Sequence, residues 1–261
     1  MGTAKTVLFV ALGVVAAGFI ARWFMLWRSR SKTPAAAGAE NGPPGPMHLA
    51  IGFVTDFFDT LGIGSYATTT ALFRFLKQVP DHLIPGTLNV GHALPTVLQA
   101  FIYITIVKVE AKTLILMIAA AVLGACVGAR IVVGLPKKKI QLGMGLALTA
   151  AGCIILVRLL RNVELPEGTS SLEGMRLALG LVGNFVLGAL MMIGVGLYAP
   201  CMILVALLGM QDLSAFPIMM GSCAFLMPIA SVRFIDRSSY SPRAALGLAL
   251  GGLPAVAIAA W

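Results

Sequence analysis

Apolar runs about as long as a bilayer crossing recur along almost the whole chain, and this recurrence limits what it can fold into. A helix rises about 1.5 Å per residue, so about 20 apolar residues cross a roughly 30 Å hydrocarbon core. The runs at 6–27, 86–107, 112–134, 139–160, 213–235 and 242–261 each match one crossing. Charged residues make up only 11% of the chain, against about 25% in a soluble domain. That leaves too little polar surface to face water, so lipid is the solvent for most of the chain. The net charge of +9 comes from basic residues placed between the runs. That placement reads as a topology signal and argues against a nucleic-acid partner. The first run, Thr6 to Trp27, is longer than a signal-peptide core and is followed by Arg28, Arg30 and Lys32, so it reads as a retained span.

Two apolar segments do not fit the crossing length. Residues 47–76 and 172–208 are long for one span and short for two, and glycines interrupt both near the middle. The interruptions are Gly62-Ile63-Gly64-Ser65-Tyr66 and Gly194-Val195-Gly196-Leu197-Tyr198. Glycine permits backbone turns that break a helix, so both segments are expected to be broken elements, re-entrant hairpins of two half-helices. Gly62 and Gly194, Gly64 and Gly196, Tyr66 and Tyr198, and Pro85 and Pro217 are all 132 positions apart. Asp81 and Asp212 miss that offset by one residue. The expected division is therefore 1–134, which carries the polar Pro/Gly/Ala-rich linker 29–46, and 135–261. Three crossings and one re-entrant hairpin per half leave the second half upside down relative to the first. The expected fold class is an all-α polytopic membrane protein of two inverted repeats, with about six to eight spans, each repeat holding a glycine-broken re-entrant or discontinuous helix. The Lys137–Lys139 cluster falls on the cytoplasmic side only if the hairpins are re-entrant.

Broken backbone at membrane depth survives only where protein buries it or a polar cavity receives it. The first turn of a half-helix presents free N–H donors and roughly half a positive charge. Two such turns, one from each half, suit an anion without a buried lysine. The expected substrate-binding residues are Gly62, Gly64, Ser65, Tyr66 and Thr68 at the first break, and Gly194, Gly196 and Tyr198 at the second. Thr69 and Thr70 offer further hydroxyls. Asn89, His92 and Ser222 lie in Gly/Pro-rich stretches that suit the same cavity. Gln99 and Tyr103, four apart, share a face beside them.

Asp56 and Asp59 are carboxylates inside an apolar segment, which is costly enough to suggest a cavity and a proton-coupling role. The competing reading is a helix cap, or a pair with Arg74 or Lys77. Gly124 with Gly128, and Gly247, Gly251 and Gly252, read as helix-packing positions. Met191, Met192, Met219 and Met220 read as apolar filling. Cys126, Cys153, Cys201 and Cys223 are scattered without ligand spacing, so no metal or cofactor is expected. Ser65 with His92 leaves an intramembrane hydrolase as a rival, but nothing in the sequence orients His92 as a base. A passive anion channel is a closer rival.

The stretches GFVTDFFDTLGIGS (52–65) and GLVGNFVLGALMMIGVG (180–196) resemble the glycine-broken start of each repeat in the TauE/SafE sulfite-exporter family. The run LGACVGARIVVGLPKKKIQLGMGLALTAAGCIILV (123–157) is similar to that family's mid-chain pattern of Gly-rich helix, Leu-Pro, basic turn and further span. The chain departs from the usual glycine triplet at Gly64-Ser65-Tyr66 and at Gly196-Leu197-Tyr198. The resemblance implies no enzymatic activity, but transport of sulfite, a sulfonate or a related small organosulfur anion across a bacterial cytoplasmic membrane. The implied partners are that anion and the lipid bilayer.

Overall fold

The computed structural model describes residues 3–30, 42–131 and 168–261, together with the single positions 142, 149 and 153. The Lys137–Lys139 cluster, nearly all of the segment 139–160, the division point at 134 and most of the linker 29–46 lie outside the described residues. Ten α-helices are described: α1 (Thr3–Arg30), α2 (Pro46–Thr60), α3 (Ser65–Phe75), α4 (Ile84–Gly91), α5 (Ala93–Ile106), α6 (Ala111–Ile131), α7 (Gly174–Met191), α8 (Tyr198–Leu207), α9 (Ala215–Asp236) and α10 (Pro242–Ala259). Among the described residues, five helices are long and apolar enough to cross a membrane: α1, α6, α7, α9 and α10.

Both misfit segments are broken at their glycines, and by the same turn. Ile63 N–H donates to Phe58 O and Gly62 N–H to Asp59 O. In the second segment Val195 N–H donates to Leu190 O and Gly194 N–H to Met191 O. This crossed pair of bonds closes a helix end over a left-handed residue, and Gly62 and Gly194 have φ of 94° and 82°. The helices that follow end alike. Gln78 N–H reaches Phe73 O over Lys77, and Met210 N–H reaches Val205 O over Gly209. Every one of these correspondences holds at an offset of 132.

The arms differ in length. The 15 residues of α2 span about 22 Å and the 11 of α3 about 16 Å, each less than a hydrocarbon core. The 18 residues of α7 reach about 27 Å. The run 86–107 is also not the single span its length suggests. It divides at His92 into α4 and α5. Pro95 has no N–H for the Gly91 carbonyl and its ring crowds that group, so the helix cannot run through.

The two most extensive helix packings are α2 on α10 and α6 on α7, so the first arm of each broken segment leans on a long apolar helix distant in sequence or preceding it. Glycine makes both possible. A Cβ on Gly251 would lie 2.1 Å from Leu49 O, and one on Gly124 would lie 1.9 Å from Phe185 O. Gly188 faces Ala121 and Gly247 faces His48 in the same close manner. Between these pairs α5 packs on α9, which is buried along most of its length. Apolar side chains such as Val7, Val10, Val14 and Phe24 remain exposed on α1, as a lipid-facing surface requires.

Candidate functional site

The two glycine breaks meet at one cavity of about 450 Å³. The first turn of α3 (Ser65, Tyr66, Ala67) and the first turn of α8 (Tyr198, Ala199, Pro200) both line it. First-turn amides have no partner four residues back, so the N–H groups of Tyr66, Ala67, Tyr198 and Ala199 are donors these helix starts leave open, Pro200 having none to give. The approach of the two breaks is reciprocal. A Cβ on Gly64 would lie 3.5 Å from Tyr198 Cβ, and one on Gly196 would lie 3.3 Å from Tyr66 Cβ. Side chains here would hold the two helix starts apart.

Asp59 lines the cavity and is buried. Its Oδ1 accepts the N–H of Ser65, the first residue of α3, so the carboxylate caps that helix start. Its Oδ2 accepts Gln99 Nε2 at 3.0 Å, and Gln99 also donates to Thr60 Oγ1 at 3.0 Å. Tyr198 donates its hydroxyl to Gln99 Oε1 at 2.8 Å. Tyr103 donates to Thr60 O at 2.8 Å. An unbroken polar chain thus runs from the α3 amide through Asp59 and Gln99 to the start of α8.

A second buried polar group lies behind this one. His92, at the α4–α5 break, pairs through Nδ1 with Asp56 Oδ1 at 2.8 Å and through Nε2 with Thr69 Oγ1 at 3.0 Å. The arrangement has the order acid, imidazole, hydroxyl. All three side chains are fully buried and none lines the cavity. Asp56 Oδ2 has no hydrogen-bond partner and is pressed against Gly252 of α10, where a Cβ would lie 2.1 Å away.

Of the residues singled out from sequence, Gly64, Ser65, Tyr66, Thr70, Gly194, Gly196, Tyr198 and Asp59 line the cavity. Gly62, Thr68, Asn89, His92, Ser222 and Asp56 do not. Thr68 turns its hydroxyl back to Ser65 O at 2.9 Å, and Asn89 donates to Pro85 O at 2.9 Å. Ser222 accepts Asn184 Nδ2 at 3.0 Å. Thr96, Arg74, Met191 and Met227 line the cavity without having been singled out as site residues, and Gln99 is more central than its spacing suggested. Two patterns carried part of this signal. Thr96 is three positions before Gln99 on one face of α5. Tyr66, Thr70 and Arg74 recur every fourth residue on α3.

The family model Sulfite exporter TauE/SafE matches residues 2–155, more than half of the chain. The chain belongs to the TauE/SafE family. The family is one of transporters, so the protein is a membrane transporter and not an enzyme. The Asp56, His92 and Thr69 side chains are fully buried away from the cavity, and His92 is bonded to Thr69 rather than to Ser65. The matched stretch holds the first break, Asp59 and the α4–α5 helices, while the second break lies beyond it. Comparison with curated proteins and with solved structures returned no match.

Proposed function

We propose that this TauE/SafE protein is a secondary transporter moving sulfite, a sulfonate or a related small organosulfur anion across the bacterial cytoplasmic membrane by alternating access. The observation that carries this reading is the convergence of two helix starts, α3 and α8, on one cavity between the glycine breaks. Open first-turn amides and the positive ends of two helices favour an anion there. Segments 1–134 and 135–261 act as inverted repeats in this proposal. It draws support from the shared turn geometry at an offset of 132, from the reciprocal contacts of Gly64 with Tyr198 and Gly196 with Tyr66, and from the crossed packing of α2 on α10 and α7 on α6. A two-fold axis generates contacts in such reciprocal pairs. Asp59 in the cavity and Asp56 behind it are the carboxylates proposed to serve proton coupling.

The test is flux of labelled sulfite and of a sulfonate into liposomes holding the purified protein. Saturable flux that responds to a proton gradient, and that falls when Gly62 and Gly194 are both replaced, is the expected result. Flux indifferent to both replacements would sink the reading. Unsaturable flux would make the protein a passive channel.

A further inference from the structure

The cavity is built for an anion yet already contains one. Every polar contact of Asp59 is with a donor: the α3 amide at Oδ1 and the Gln99 side chain at Oδ2. An incoming anion aimed at the start of α3 therefore meets a like charge bound to the group it seeks. Among the described residues no lysine lines the cavity. Its guanidinium, Arg74, stands half-exposed and is already paired with Asp81 at 2.9 Å. Tyr66, in the same wall, has a buried hydroxyl with no hydrogen-bond partner, a donor left over for a ligand.

We infer that Asp59 is an internal stand-in for the transported anion, that a proton must neutralise it before that anion binds, and that anion and proton therefore travel in the same direction. The inference rests on the anion-transport reading and adds the sign of its coupling. The step balances simply. A proton from one side adds to an Asp59 carboxylate oxygen, the Ser65 N–H is released to the anion, and both leave together on the other side. For a singly charged anion the cycle moves no net charge. Linkage is reciprocal, so protonation raises anion affinity by the factor by which bound anion raises proton affinity.

Other groups that titrate or carry charge face Asp59 and must be separated from it. These are Asp56 on its own helix, His92 at the α4–α5 break, Tyr66 on α3, Tyr198 on α8 and Cys223 on α9, with Arg74 in the cavity lining and its counter-ion Asp81 beyond it. From α5 the facing groups are Gln99 and Thr96, which do not titrate.

The experiment is equilibrium binding of radiolabelled methanesulfonate to the full chain in detergent between about pH 5 and 8, where the probe's own charge is constant. Wild type is expected to bind about 5- to 150-fold tighter at the acid end. Asp59→Asn is expected to bind tightly and equally across the range. In liposomes an acid-outside gradient is expected to drive uptake by wild type but not by Asp59→Asn. His92→Gln is expected to retain the pH dependence. Binding by wild type that is independent of pH, or tighter at high pH, overturns the inference while leaving anion transport intact. So does a pH dependence that vanishes in His92→Gln and persists in Asp59→Asn. If Asp59→Asn has a melting temperature close to wild type yet no longer binds, Asp59 is a ligand rather than a competitor, and the inference is overturned. Failure of methanesulfonate and sulfite to bind either protein at any pH overturns the anion reading itself.

Discussion

Tyr198 donates its hydroxyl to the oxygen of the Gln99 side chain at 2.8 Å, and the nitrogen of that same amide donates to Asp59 at 3.0 Å. One amide thus ties the start of α8 to the carboxylate at the start of α3. Both ends of Gln99 are used, so the side chain has one orientation, and the two breaks are held in register through it.

Replacing Tyr198 by Phe removes the donor and leaves Gln99 Oε1 buried and unpaired. A buried polar group stranded in this way costs about 1–3 kcal/mol. The variant is expected to melt lower in detergent by a corresponding amount and to take up anion with a raised KM. An unchanged melting temperature would show that the tie contributes nothing to holding the breaks together.

The two breaks respond differently to an added methyl group. Gly64 has φ of 86° and ψ of 122°, a backbone region open essentially to glycine, so Gly64→Ala is expected to cost about 1–3 kcal/mol. Gly196 is not among the positive-φ residues, and its added Cβ would only press Tyr66 Cβ at 3.3 Å. Gly196→Ala is expected to lower stability less and to slow flux by displacing α3. Comparison of melting temperature with initial transport rate separates the two, and equal losses at both positions would contradict the assignment.

Helix-packing glycines offer a sharper contrast. A Cβ on Gly124 would lie 1.9 Å from Phe185 O, a backbone atom that cannot turn aside, whereas Gly13 on α1 has nothing within 4 Å. Overpacking of this kind costs about 1–3 kcal/mol, while alanine in an open helical position gains up to about 1 kcal/mol over glycine. Thermal unfolding should therefore place Gly124→Ala below wild type and Gly13→Ala at or above it.

Much of this fold was legible because hydropathy and glycine spacing are local signals. The breaks at Gly62 and Gly194 follow from two runs whose length fits neither one span nor two, and the backbone closes both with the same turn. The division of 86–107 at His92 was hidden because its apolar length equals one crossing, and only the carbonyl that Pro95 leaves without a donor reveals it. Within the site, Asp59 was visible as an expensive carboxylate. That it caps α3 was one of two open readings, because a cap six residues away in sequence needs the intervening turn to be known. Gln99 and Thr96 were harder to place. A polar residue on an apolar helix does not disclose which partner it meets across the bundle, and those of Gln99 come from α2 and α8.

Arg74 gives the last test, because its position separates stability from capture of the anion. It lines the cavity from the last turn of α3 and pairs with Asp81 at 2.9 Å, with side-chain exposures of 51% and 69%. An exposed pair of this kind contributes about 0–1 kcal/mol to stability, so Arg74→Gln should melt close to wild type. Its field at the cavity mouth acts on an approaching anion and is screened by salt over about 10 Å at 0.1 M. Anion uptake by wild type should therefore weaken as ionic strength rises. Arg74→Gln should show a raised KM, an unchanged kcat and a flattened salt dependence. Asp81→Asn frees the guanidinium from its counter-ion and should lower KM. If Arg74→Gln retained the wild-type KM and salt response, the guanidinium would play no part in gathering the anion and would serve only the ion pair with Asp81 seen among the described residues.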